Sequence, residues 1–473
     1  MQSFGHKGRL EDARMLTGRG RYVSDWNLPG QAHGCFMRSD RPHARIASID
    51  ASGALAMPGV IAVLTGDDVV AAQYKSLPAF APMKGRNGTD LIIPHRPTLA
   101  LARVRYVGEP IALVVAETAA QAQDAAEAVF VEYEELPAVF DAKDAIVPGA
   151  PLVHDEVPGN LALDFVGGDE AATTAAFKKA AHIVRLDAYH TRVVANPMEP
   201  RTCIGSYDAA TDMYYLHSCT QGASVMRNQI STVLGVPPER IRIVAEEVGG
   251  GFGVRFNLYP EYCAALLAAK KLGRPVKWVG TRSEMFLADE QARDVLHHSE
   301  MALDANGRIL GMRFDFTCNL GAYIAPTGAF VNTLNLVNVV SGVYDVQAVY
   351  VHASLAFTNT IPTAAYRGAG RPVSSYAIER LWTRRRGRSA WTRPSSAAGT
   401  SSRSRNSPTR SSRGSSTTAG TSKACSTMRW PRPTGAASPS AGLSPRPAEN
   451  CAAAGCPATS RRAAGAAWRR RTK

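Results

Sequence analysis

The sequence lacks any CxxC pair. Its eight cysteines stand at 35, 203, 219, 263, 318, 425, 451 and 456, too scattered to hold a structural zinc or an iron–sulfur cluster. Five of them lie singly along the first 320 residues, which fits reduced thiols in a cytoplasm. Long apolar runs are missing too. No stretch approaches the roughly 20 residues of a spanning helix, and Met1-Gln2-Ser3-Phe4-Gly5-His6-Lys7 has no apolar core of a signal peptide. The expectation is a cytoplasmic protein that does not enter a membrane.

Acidic residues are scarce in one place only. The formal net charge of +14 suggests a nucleic-acid binder. Yet 19 of the 54 Lys and Arg residues, and one of the 40 acidic ones (Glu449), fall between Leu381 and Lys473, so the body before them is mildly acidic. From Trp382 onward there is no Val, Ile, Phe, Tyr, Asp, His or Gln, and a single Leu at 443. Such a composition buries too little apolar surface to offset its ordering entropy, which predicts a disordered basic tail over 382–473. The change is abrupt and falls inside an incipient helix, Tyr376 to Leu381. It reads as a reading-frame shift in a GC-rich gene, with a basic tail that binds nucleic acid or another acidic surface as the alternative.

What the body does contain is organised around Val248-Gly249-Gly250-Gly251-Phe252-Gly253. Glycine lets a turn reach positive φ and lets a ligand approach backbone N–H groups. The β-branched Ile241 to Ala245 before it reads as a strand, and Tyr259 to Lys271 after it as a helix. Strand, glycine turn and helix together suit an anionic cofactor. The spacing is not GxGxxG and no Lys-Ser/Thr follows, so neither a dinucleotide fold nor a P-loop is indicated.

Taken in order, residues 1–20 read as an extended arm. Residues 21–142 read as a small mixed domain, with strands near 32–38, 44–50, 60–64, 110–116 and 129–133 and a helix over Thr118 to Ala128. Residues 143–160, rich in Pro and Gly, read as a linker. A second α+β domain over 161–381 has strands near 181–191, 213–219, 241–245 and 275–279 and a helix over Ala223 to Leu234. A hairpin crosses Asp304-Ala305-Asn306-Gly307, where Asn-Gly suits a tight turn. His182, His190, His297 and His298 do not fall at metal-ligand spacing with carboxylates, and no metal-ligating side chains are assigned. Glu246 and Glu247 are adjacent in an extended segment and therefore point apart.

Four stretches carry a family resemblance. They are Tyr22 to Gly30 with Phe36-Met37-Arg38-Ser39; Asn196-Pro197-Met198-Glu199-Pro200-Arg201 with Thr220-Gln221; the glycine stretch; and Ala365-Tyr366-Arg367-Gly368-Ala369-Gly370-Arg371-Pro372. In this order the chain resembles the molybdopterin-binding large subunit of the xanthine dehydrogenase, aldehyde oxidase and carbon monoxide dehydrogenase family, over residues 15–381. The resemblance implies a hammerhead-like N-terminal α/β domain followed by the first molybdopterin-binding α+β domain. It implies a molybdenum cofactor, in the cytosine dinucleotide form. It also implies an iron–sulfur small subunit and an FAD-binding medium subunit as partners, and oxidative hydroxylation of an aldehyde or N-heterocycle with water as the oxygen source.

On that resemblance Gln221 and Arg367 are the catalytic candidates. Gln221 offers an amide donor, and Arg367 a guanidinium for the cofactor or a developing oxyanion. Gly250, Gly251, Phe252 and Gly253 would present backbone N–H groups to the cofactor, with Gly368 and Ala369 beside them. The loop has no copper-binding cysteine, against carbon monoxide oxidation. Ala369 and Phe256 replace the aromatic and the acid of purine oxidisers. Nothing after Leu381 resembles the second cofactor domain, which supplies the family's glutamate base, so the expectation for this polypeptide is an inactive chain.

Overall fold

The computed structural model describes residues 8–79 and 83–386. Three sheets account for its strands. The largest has seven, in the spatial order Ile241–Val244, Met213–Ser218, Thr202–Asp208, Val276–Val279, Ala32–Arg38, Pro110–Ala116, Val60–Leu64. A second runs Leu161–Gly168, Val349–Phe357, Ile309–Gly321, Val295–Leu303, His182–His190. A small third sheet runs Arg103–Val104, Ala44–Asp50, Phe130–Glu135.

The seven-stranded sheet joins the two segments that the sequence divides. Ala32–Arg38 pairs parallel with Val276–Val279 on one side and antiparallel with Pro110–Ala116 on the other. Gly34 is needed here, because a Cβ would lie 2.9 Å from a Leu113 methyl carbon. Pro110–Ala116 is buried at every position and reads as a continuous apolar run, as a strand covered on both faces must. The helix Pro260–Leu272, buried from Pro260 through Ala269, lies against this sheet, and Gly205 admits it: a Cβ there would meet the Ala265 backbone at 2.8 Å.

Several expectations need correction. The arm over 1–20 is not wholly extended: Asp12–Leu16 is a short helix, and Arg14 on it ion-pairs Glu247 at 2.6 Å. The 143–160 stretch is not a loose linker. Ala145, Val153 and Val157 are fully buried in the core of the five-stranded sheet, and Asn160 ties them by donating to the carbonyls of Ala145 and Pro151. The strands Leu161–Gly168, Thr202–Asp208 and Val349–Phe357 and the helix Glu170–Lys178 carried too weak an alternation to be read. The final helix, Arg371–Arg386, runs past Leu381, and Trp382 is buried against Tyr344 with ring centroids 4.8 Å apart. Trp382 to Arg386 are thus helical rather than part of a disordered tail; the rest of the tail lies outside the described residues.

Other elements follow their local chemistry. Thr281 and Glu284 form a reciprocal capping box that opens Arg282–Ala288. Ala223–Leu234 closes on Gly235 in the left-handed region. No helix among the described residues is long and apolar enough to cross a membrane.

Candidate functional site

The glycine turn leaves Ile241–Val244 at one end of the large sheet and enters Pro260–Leu272 through a single 3-10 turn. Gly250 and Gly253 take φ of +110° and +105°, which only glycine adopts freely, and Phe252 sits at +53°. Gly249 donates to Glu199 Oε2 at 2.6 Å, and Gly253 to Gln221 Oε1 at 2.7 Å. The N–H groups of Gly250, Gly251 and Phe252 meet no acceptor among the described residues. Three consecutive open donors on a rigid turn are an anion cradle. Gln221 packs over this cradle so closely that a Cβ on Gly251 would lie 2.3 Å from its Cδ. Its Oε1 is committed to Gly253, which leaves its amide N–H₂ as a fourth open donor. It does not cap the following helix, whose N-cap is Gly222.

A buried ionic network holds the turn still. Arg255, two residues past the turn, donates to Asp289 Oδ2 at 3.2 Å and to the Glu199 carbonyl at 2.8 Å. Asp289 also accepts from Arg201 Nε at 2.5 Å, and Arg201 chelates Glu261 with bonds of 2.6 and 3.1 Å. Arg38 adds a further bond to Glu261 at 2.8 Å. Burial pushes the Glu261 carboxyl up, but Arg201 and Arg38 outweigh it and hold the group down at about 2. Four sequence-distant segments therefore meet in charge pairs beneath the turn. The Arg255 carbonyl in turn accepts from Gln221 N–H at 3.0 Å, so the network reaches the catalytic candidate through its backbone.

The second loop arrives from the five-stranded sheet. Arg367 N–H donates to the Phe252 carbonyl at 2.8 Å. Upstream, Ala365 N–H donates to Thr327 Oγ1, which bonds Asn257 Oδ1, while Asn257 Nδ2 donates to buried Glu290 at 2.6 Å. Gly368, Ala369 and Gly370 all have positive φ, and Ala369 at +45° is the unusual one. The Arg367 side chain is exposed and meets no acidic partner among the described residues. The structure thus brings Gln221, Gly250, Gly251, Phe252, Gly253 and the backbone of Arg367 together, with Gly368 and Ala369 beside them. Arg371 starts the last helix, on which Glu379 accepts from Tyr344 at 2.7 Å.

The profile of the molybdopterin cofactor-binding domain matches residues 153–384, and that of the aldehyde oxidase and xanthine dehydrogenase a/b hammerhead domain matches 17–137. The large molybdopterin subunit of nicotinate dehydrogenase from Eubacterium barkeri is 30% identical over 79% of this chain and 83% of its own length. The chain belongs to the molybdopterin-binding family of aldehyde oxidase and xanthine dehydrogenase. Within it, the nicotine 6-hydroxylase large subunit of Paenarthrobacter nicotinovorans is 38% identical, over 79% of this chain but 45% of its own. Quinoline 2-oxidoreductase from Pseudomonas putida 86 superposes with a TM-score of 0.78 at 35% identity, covering 83% of this chain and 49% of that one. The chain spans about half the length of most of the curated relatives it matches most strongly.

The residues at the turn fit the molybdopterin group of this family. Open N–H groups suit its oxygens, and the Gln221 amide adds another donor. Glu199 supplies an acceptor: it is buried, its Oε2 is held by Gly249, and its Oε1 has no partner among the described residues. Burial raises the Glu199 carboxyl above its ordinary value, despite the Gly249 bond. Neither Glu199 nor the Arg255–Asp289 pair emerged from sequence as site residues. The available signal was a long cation directly after a glycine turn, which needs a counter-charge wherever it is buried.

Proposed function

We propose that this chain forms the molybdenum-cofactor side of a hydroxylase large subunit, with the cradle of Gly250, Gly251 and Phe252, the Gln221 amide and Arg367 facing the bound group. The three open N–H donors carry this reading. When bound, the cofactor supplies two-electron oxidation of an electron-poor carbon. The chain's own part is to hold it: fixed dipoles at the turn stabilise negative charge without reorganising, Gln221 donates one further hydrogen bond, and Arg367 adds a cation that the acidic network below does not neutralise. In this reading the cofactor is the cytosine dinucleotide form and electrons pass to an iron–sulfur subunit and an FAD subunit. The substrate class is an N-heterocycle or an aldehyde. The heterocyclic choice is supported by the relatives' names, and copper-dependent carbon monoxide oxidation is disfavoured because the Arg367-Gly368-Ala369-Gly370 loop has no cysteine.

The test is cofactor content. The full chain is produced in a bacterial host that makes the dinucleotide cofactor, and molybdenum and released pterin are measured on purified, folded protein. The reading expects both in the wild type and a sharp fall in Gln221→Ala. A folded chain with neither molybdenum nor pterin would sink it.

A further inference from the structure

The five-stranded sheet ends in two long strands, Leu161–Gly168 and His182–His190. The first is flanked by the 83–92 segment. Ile92 N–H donates to the Ala162 carbonyl at 3.0 Å, and a Cβ on Gly85 would lie 2.5 Å from the Asp164 carbonyl oxygen. The second pairs with Val295–Leu303 at all nine positions, without a register shift. On its other side, from Ile183 to Tyr189, no backbone group bonds a described residue. An open strand of this length is a template for another strand, and folded proteins blunt such edges with Pro, Lys, a bulge or brevity. His182–His190 has none of these. The edge strands of the large sheet are shorter, at four and five residues.

What this edge carries is charge of both signs. Arg185 and Asp187 have side chains 60% and 85% exposed. They share the outer face, while Val184 and Leu186 between and beside them are buried in the core. Each uses one atom within its own sheet: Arg185 Nε donates to Glu300 at 2.8 Å, and Asp187 Oδ1 lies 2.5 Å from His298 Nδ1.

We propose that two copies of this chain pair antiparallel through His182–His190, about a dyad at Leu186, joining their five-stranded sheets into one. About that dyad Arg185 of each copy faces Asp187 of the other, and Ile183 faces Tyr189, all on the outer face. On the core face Leu186 meets its own copy and Val184 meets Ala188. Other registers are penalised. Moving the dyad to Arg185 or to Asp187 sets like charges face to face, as does a parallel pair in register. A dyad between residues turns one core face outward. The chain's own residues 387–473 contain no Val, Ile, Phe or Tyr, which makes them poor material for the added strand. The pairing stands apart from the cofactor reading.

The test is the mass of the full chain by sedimentation equilibrium, from low micromolar to the highest soluble concentration. Wild type is expected to shift reversibly from monomer to dimer, with amide exchange in the 182–190 peptide slowing over the same range. Asp187→Arg and Arg185→Asp each create two like-charge contacts across the dyad and are expected to weaken dimerisation about tenfold or more. Mixed in equal amounts, the two variants regain every opposite-sign contact, and a heterodimer at least as tight as the wild-type pair is expected. Both side chains are exposed, and circular dichroism checks that both variants fold. A wild type that stays monomeric overturns the pairing. So does a dimer or larger assembly that both single variants leave unchanged, a mixture that stays monomeric, or a dimer that forms without slowing exchange at 182–190.

Discussion

The Arg367 N–H and the Phe252 carbonyl are joined at 2.8 Å, a bond between loops from two different sheets. It forms because Gly253 has no side chain. A Cβ there would stand 2.6 Å from the Ala365 carbonyl oxygen, a backbone atom that cannot swing away. Gly253→Ala adds to this clash the strain of φ at +105°, roughly 1–3 kcal/mol by itself. The expected result is a lower urea midpoint with an unchanged slope, together with loss of bound molybdenum.

Gly251→Ala separates stability from function. The atoms nearest the new Cβ all belong to the Gln221 side chain, which can turn aside. Turning costs the Gln221 to Gly253 bond, about 1 kcal/mol. The urea midpoint is therefore expected to fall less than in Gly253→Ala, while cofactor content falls as far.

The difference between these two glycines was not legible in sequence. The Gly249 to Gly253 stretch announced a turn that approaches something closely, and Ile241–Val244 and Pro260–Leu272 were readable on either side. What each glycine approaches depends on Ala365 and Gln221, which are remote in the chain. The same limit explains the missed strand Thr202–Asp208. It lies in the middle of the large sheet and is buried at Thr202, Cys203, Ile204 and Gly205 in succession, so no period of two appears. The division into two segments was drawn at a Pro- and Gly-rich stretch, whereas the sheet crosses it through Ala32–Arg38 and Val276–Val279.

Arg201→Met tests the ionic network. Arg201 is fully buried and is the shared partner of Glu261 and Asp289. Removing one member of a buried pair leaves uncompensated charge and costs about 3–5 kcal/mol. Restoring neutrality in the double variant Arg201→Met with Glu261→Gln should recover part of that loss in chemical denaturation. No recovery would mean that packing of Arg201 on Tyr259, 3.9 Å from the ring centroid, is its main contribution.

Glu199→Gln should be nearly silent in stability, because one amide oxygen still accepts from Gly249 and burial already disfavours the charged acid. Glu199→Ala strands the Gly249 N–H and should cost roughly 1–3 kcal/mol. If Glu199 Oε1 receives a donor from the bound group, Glu199→Gln should still lower pterin content despite its intact fold, since an amide N–H₂ cannot accept in its place.

His352 contributes to the pH dependence of stability on its alkaline side. Its Nδ1 lies 2.8 Å from Asp315 Oδ1 and its Nε2 2.5 Å from Asp164 Oδ1, so both ring nitrogens are best served as donors. The hydrogen bond to Asp315 is the main cause that raises its pKa above 6.5, and burial opposes it. A raised folded-state pKa gives stability that is fully present below 6.5 and is lost as pH climbs through the raised value. His154 and His297 act with the opposite sign. Burial lowers them to about 3 and about 4, so their contribution is complete above 6.5 and is lost only in acid. Between 6.5 and about pH 8.5 the slope from these histidines therefore belongs to His352. Thermal midpoints across that range should decline in the wild type and run flatter in His352→Gln. An equal decline in both proteins would assign the slope elsewhere.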